Sequence, residues 1–221
     1  MNTKKKYAVL IRLLLMLYVV LISNCNNKKS LSLIKTKQLD FAYYEVSKEK
    51  YDWPSISPAP EYWGGLTPQY HLASGFREGD CQDVAWQNEG LIAGCKEIVL
   101  QQKDTIIFIK NRSELKKIFS PISSKQEALS FACAYADYFP ITDLSFYNNK
   151  EDYYYLRNKD ISSIDSLNSY YIVHLYDYET FGCGPHPYYA VDVKVYTSGE
   201  VKELTRNEAF RNPDTDNQCV D

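Results

Sequence analysis

Cysteine and histidine meet in one pentapeptide of this chain, Cys183-Gly184-Pro185-His186-Pro187. A thiol close ahead of an imidazole is the pair used in thiol catalysis, the cysteine as nucleophile and the histidine as base. The same Cys-x-x-His spacing is half of a zinc site. Neither arrangement completes, because no other histidine or acid is set by sequence to orient His186 and no second ligand pair is evident. Two prolines with Gly182 and Gly184 describe a rigid turn, in which Cys183 is wanted for a disulfide. The chain holds no GxGxxG, P-loop, HExxH, GxSxG or EF-hand pattern. No catalytic residue, metal or cofactor is therefore assigned.

A second constellation depends on strand register. In Ser169–Leu204 the alternation sets Tyr171, Val173 and Leu175 on one strand face, with Tyr170, Ile172, His174, Tyr176 and Tyr178 on the other. In the following strand Tyr189, Val191, Val193 and Val195 share a face, opposite Asp192, Lys194 and Tyr196. The apolar sets coincide in an antiparallel pair when Val173 faces Val193 and Leu175 faces Val191, which puts His174 across from Asp192. Thr197-Ser198-Gly199 then reads as a three-residue hairpin loop with Gly199 left-handed, bringing Val201 opposite Val195. His174, Tyr176, Asp192, Lys194 and Tyr196 would cluster on the outward face. That face is either a solvated sheet surface with cross-strand pairs or a recognition surface.

The N-terminus decides how the remaining cysteines are read. Met1–Lys6 carries three lysines, Tyr7–Ile22 is apolar except for Arg12, and Leu21-Ile22-Ser23-Asn24-Cys25 follows. The apolar run after Arg12 is about half of the ~20 residues that a spanning helix needs. The segment resembles bacterial lipoprotein signals, with Ile22 and Asn24 departing from the commonest residues of the box. That resemblance implies residues 1–24 are a signal peptide and that Cys25 becomes acylated, a stable membrane anchor. An ordinary cleaved signal or an uncleaved anchor shares the same charged start and apolar run. In an oxidising compartment Cys81, Cys95, Cys133, Cys183 and Cys219 are disulfide candidates first. The preferred pairs are Cys81–Cys95 and Cys183–Cys219, leaving Cys133 as a buried thiol on a helix.

Residues 25–40, polar and lysine-rich, read as the lipidated cysteine and a tether, with one domain over 41–221. Phe41–Val46 reads as a first strand. Residues 53–80 are rich in proline and glycine and read as one long loop, with Trp53, Tyr62, Trp63, Tyr70 and Phe76 as its aromatics. Those rings either pin the loop to the domain or form a platform for a sugar or peptide. Glu97–Leu100 and Thr105–Ile109 form a hairpin, and Ile106–Ile109, apolar on both faces, reads as an internal strand. Ser113–Phe119 reads as a short helix with Ser113 at its N-cap. Ser124-Lys125-Gln126-Glu127 is a capping box that opens the main helix, ended by Pro140. Ala128, Leu129, Ala132, Cys133 and Ala136 form its buried stripe, with Phe131, Tyr135 and Tyr138 on the rim. Leu144–Tyr147 and Tyr153–Leu156 flank another hairpin turn, and Asp160–Asn168 reads as a polar connection.

These elements predict an α+β fold, an antiparallel meander of about five to seven strands packed by one main helix near 124–139. With 45% apolar and 24% charged residues and a net charge of −3, nothing favours nucleic acid as a partner. The 20 tyrosines follow a general enrichment in Lys, Asn, Ile and Tyr. The run from Ile118-Phe119-Ser120-Pro121-Ile122 through the helix to CGPHPYYAVDVKVYTSGEV resembles secreted bacterial lipoproteins of unassigned activity. In outline it is similar to PepSY-type modules, which implies binding in the periplasm or at the cell surface, or peptidase inhibition. The expectation is a non-enzymatic binding module on a bacterial envelope, with a protein, peptide or glycan ligand. The alternatives are a secreted hydrolase with a loop-borne site and a peptidase inhibitor.

Overall fold

The strand that fixes the register, β8 (Tyr170–Tyr178), runs antiparallel to β10 (Pro187–Tyr196), with Val173 facing Val193, Leu175 facing Val191 and His174 facing Asp192. The computed structural model describes residues 31–48, 55–78, 86–88, 94–145, 147, 154–155, 160–178 and 181–220. Strict alternation of branched side chains explains the match. Val173, Leu175, Val191 and Val195 are fully buried, and slipping by one residue would turn them all to the other face. Gly199 has φ 78, and a Cβ there would sit 2.0 Å from Ser120 Oγ, so the loop needs glycine twice over. The chain returns as β11 (Val201–Arg211), with Val201 opposite Val195.

Two further strands extend this sheet beyond expectation. Ser163–Leu167 is β7, paired with β8 and setting Ile164 against Val173, where a polar connection was expected. Ser163 and Asp165 alternate to the face opposite Ile164, which carries the burial. Tyr154–Tyr155 is β6 and pairs with Phe210 and Arg211 of β11, not with Leu144–Tyr147 as expected. The proposed turn at Asn148–Asp152 lies outside the described residues.

A second five-stranded sheet replaces most of the expected loop. Within residues 53–80, Ser55–Pro58 is β1 and His71–Glu78 is β2, joined by a 3₁₀ turn at Glu61–Trp63. β2 was not legible because HLASGFRE has small and polar residues where a strand pattern needs bulk. β4 (Gly94–Gln102) is the hub: it pairs with β2 along one edge, and its other edge is shared by β3 (Trp86–Asn88) and β5 (Thr105–Ile109). The expected β4–β5 hairpin forms, but pairing continues through Gln101 and Gln102 and leaves a two-residue turn at Lys103-Asp104 in place of the four-residue connection expected. β5 is an edge strand among the described residues, not the internal strand its apolar run predicted.

Helices close the core. Phe41–Lys48 is helix α1, not a strand: Asp40 Oδ1 accepts from the Ala42 and Tyr43 N–H groups, and this cap outweighs the β-propensity of the tyrosines. Tyr44 anchors α1 against Leu39, Ala73 and Val99. Helix α2 (Arg112–Phe119) is capped by Asn111, two residues earlier than the expected Ser113. Helix α3 (Lys125–Ala136) carries the full capping box of Ser124 and Glu127. It ends three residues before Phe139, because Asp137 takes the left-handed conformation. Every residue from Ala128 to Ala134 is buried, Phe131 included, so α3 is buried all round and not on one stripe. The expectation of one main helix thus gives way to three among the described residues. The broad α+β class holds, but the described residues form two five-stranded antiparallel sheets and a two-stranded ladder, more than the five to seven strands expected.

The packed unit begins at Ser32, earlier than expected. Thr36 Oγ1 donates to the carbonyls of Pro60 and Glu61, and Leu39 is buried, so part of the anticipated tether belongs to the fold. Cys25 and the signal-like segment lie outside the described residues.

Candidate functional site

The outward face of β8–β10 carries an ordered set of charged and aromatic side chains. His174 Nδ1 lies 2.9 Å from Asp192 Oδ1, and Thr205 Oγ1 donates to Asp192 Oδ2 at 2.9 Å. The carboxylate is thereby held from both sides. Lys194 Nζ stands 3.7 Å from the centre of the Tyr170 ring and 4.7 Å from that of Tyr196. Tyr170 and Tyr196 are directly opposed across the strands, 6.0 Å between ring centres, so their rings bracket the ammonium. Leu167, 47% exposed and paired with Tyr170 across β7–β8, extends this patch.

Tyr176 departs from the expected surface. It shares the strand face of His174 but is fully buried, and its hydroxyl donates to the Asp160 carbonyl. Alternation gives the face a residue takes, not whether other chain covers it. Here Phe139 pairs through its backbone with Tyr176, and Ile141, Leu144 and Phe210 build a small core over that end. Tyr188 stacks on Phe210 within the same cluster.

The aromatics of the 53–80 segment do not join this surface. Trp63 is buried, and Tyr62 is tied to the far side of α3, where its carbonyl accepts from Ser130 Oγ. Burial pushes the Tyr62 phenol well up. Tyr70 packs edge-on against Phe119 of α2. These residues pin the segment to the domain, and Trp53 lies outside the described residues. Sequence could not tell that α3 and the sheet separate the two groups.

The Cys183–Pro187 pentapeptide is a stapled turn. Cys183 is bonded to Cys219, joining β9 (Gly182–Cys183) to β12 (Cys219–Val220). His186 is 3% exposed, with Nε2 3.2 Å from the Gln218 carbonyl. The sulfur is engaged, so the nucleophile reading fails. Cys95 is buried and disulfide-bonded, and Cys81, its expected partner, lies outside the described residues. Cys133 is a free, buried thiol whose pKa burial pushes well up.

Two cavities were missed by sequence reasoning, since residues far apart in the chain line them. One, of about 100 Å³, is lined by Trp63, Trp86, Lys96 and Asp137 among others, with Lys96 and Asp137 ion-paired. The other, of about 180 Å³, lies between the helices and β10–β11 and includes Arg112 and Glu203. Among the described residues no three His, Cys, Asp or Glu side chains come together as metal ligands. No protein-family model, curated protein or solved structure matches the chain.

Proposed function

We propose that this protein is a non-enzymatic binding module, held on a bacterial envelope by acyl chains on Cys25, that recognises a protein or peptide partner through the outward face of β8–β10. The observation that carries the reading is the fixed array of Tyr170, Lys194 and Tyr196 beside the His174–Asp192–Thr205 set. Pre-ordered aromatic and charged side chains lose little freedom on binding, which favours recognition. The exposed Leu167 at the margin adds apolar area for a partner. Disulfides at Cys183–Cys219 and Cys95 support passage through an oxidising compartment.

The hydrolase alternative finds less support. His174 Nε2 is shut off from solvent and has no hydrogen-bond partner among the described residues, so the histidine beside Asp192 presents no accessible base to a substrate. Thr205 hydrogen-bonds Asp192 and not the imidazole, so it is no primed nucleophile.

Two measurements test the proposal. Labelled palmitate should enter the wild-type protein and not Cys25→Ser, and the wild type should partition into detergent; an unacylated, water-soluble native protein would reject the address. Peptide and glycan arrays probed with purified protein should give peptide signals that fall about tenfold in Lys194→Ala and Tyr196→Ala. Signals on glycans alone, or unchanged in both variants, would reject the assigned surface.

A further inference from the structure

We propose that the cavity between α2, the end of α3 and the β10–β11 pair binds a small zwitterion, of the class of a free α-amino acid or short peptide. Its volume of about 180 Å³ is well below the roughly 300–1,000 Å³ of sites for drug-sized ligands, so the occupant is small. Val193 and Val201 supply apolar lining, Tyr135 and Tyr138 contribute rings, and Arg112 and Glu203 bring opposite charges. Val193 and Glu203 are cross-strand partners, which puts the carboxylate beside the apolar lining on one sheet face.

Both charges are held in place yet have capacity left. Arg112 Nε donates to the Tyr135 carbonyl at 3.0 Å, and its guanidinium carbon stands 5.3 Å from the centre of the Tyr135 ring. Among the described residues no hydrogen bond or ion pair engages the two terminal nitrogens of Arg112, and that fork matches a carboxylate through two parallel hydrogen bonds. Glu203 Oε2 accepts from the Tyr138 hydroxyl, leaving Oε1 for a ligand ammonium. Burial, and then the bond to Glu203, push the Tyr138 phenol up, so it stays a donor through the neutral range. Arg206, which also feels the Glu203 charge, is committed to Asp177 at 2.6 Å. Burial is the largest single influence and works against the Arg206 charge, but the Asp177 bond and charge, with Tyr138 and Glu203, together outweigh it and the pKa rises.

One open cation and one open anion select a ligand carrying both signs. A simple anion would bring its charge up to Glu203, and a simple amine would meet Arg112. Calorimetric titration with leucine and with alanyl-alanine tests this, N-acetyl-leucine and leucinamide serving as singly charged controls. The zwitterions should bind saturably. Capping either end, or changing Arg112→Gln or Glu203→Gln, should weaken binding about tenfold or more, the loss of one charge-assisted bond. Lys194→Ala should leave it unchanged, which separates this site from the β8–β10 surface. Binding of N-acetyl-leucine as tight as leucine, equal binding by both charge variants, or no binding of any probe up to its solubility limit would overturn the proposal. The capped-ligand comparison uses the wild-type protein and stands even where a variant folds poorly.

Discussion

Ser130 is a hydroxyl in the middle of a buried helix, and its position makes sense only through its partners. Its Oγ accepts from the Gly65 N–H at 2.9 Å and donates to the Tyr62 carbonyl, tying the 3₁₀ turn to α3. Gly65 comes so close that a Cβ on it would lie 2.3 Å from the Gln126 carbonyl oxygen. Ser130→Ala leaves a buried N–H without an acceptor, so urea unfolding should show a loss of about 1–3 kcal/mol. A loss below about 0.5 kcal/mol would mean that the turn relaxes and finds another acceptor. Neither this bond nor the burial of Tyr176 was legible in sequence. A serine in a helix and a tyrosine on a strand each look solvent-facing until the covering segment is known.

Element by element, legibility followed how much of an element's reason for existing is local. The β8–β10 register and the α3 capping box were legible because alternation and the Ser124/Glu127 spacing act within a few residues. β2 was not, because its identity comes from pairing with β4 over a distant stretch, with Leu72 opposite Leu100 and Ala73 opposite Val99. Helix α1 was misread for a different reason. Its tyrosines favour a strand, but Asp40 satisfies two N–H groups of the first turn, and Tyr44 finds a buried seat on the sheet. Asp40→Ala should therefore cost about 0.5–2 kcal/mol in thermal or urea unfolding, while Asp40→Asn, which keeps the acceptor, should recover most of it. Equal losses for Ala and Asn would point to the charge of Asp40, and not its cap, as the stabilising feature.

At the level of the whole molecule, α3 is the shared wall of two sheets, and its small residues allow it. On one side Lys125 Nζ donates to the Ile164 carbonyl of β7. On the other, Trp86 Nε1 donates to the Tyr135 carbonyl, and Lys96 of β4 pairs with Asp137. Ala128 and Ala132 are fully buried between these attachments. A wall of this kind couples the sheets, so the described unit should unfold in one transition. Ala132→Leu adds volume where none is free and should destabilise by about 1–3 kcal/mol. The effect should reach both sheets equally. Hydrogen exchange of Ile98–Leu100 in β4 and of Val191–Val195 in β10 should accelerate by the same factor, since both then exchange through one global opening. Faster exchange in β10 alone would show that the sheets open independently and that α3 belongs to only one of them.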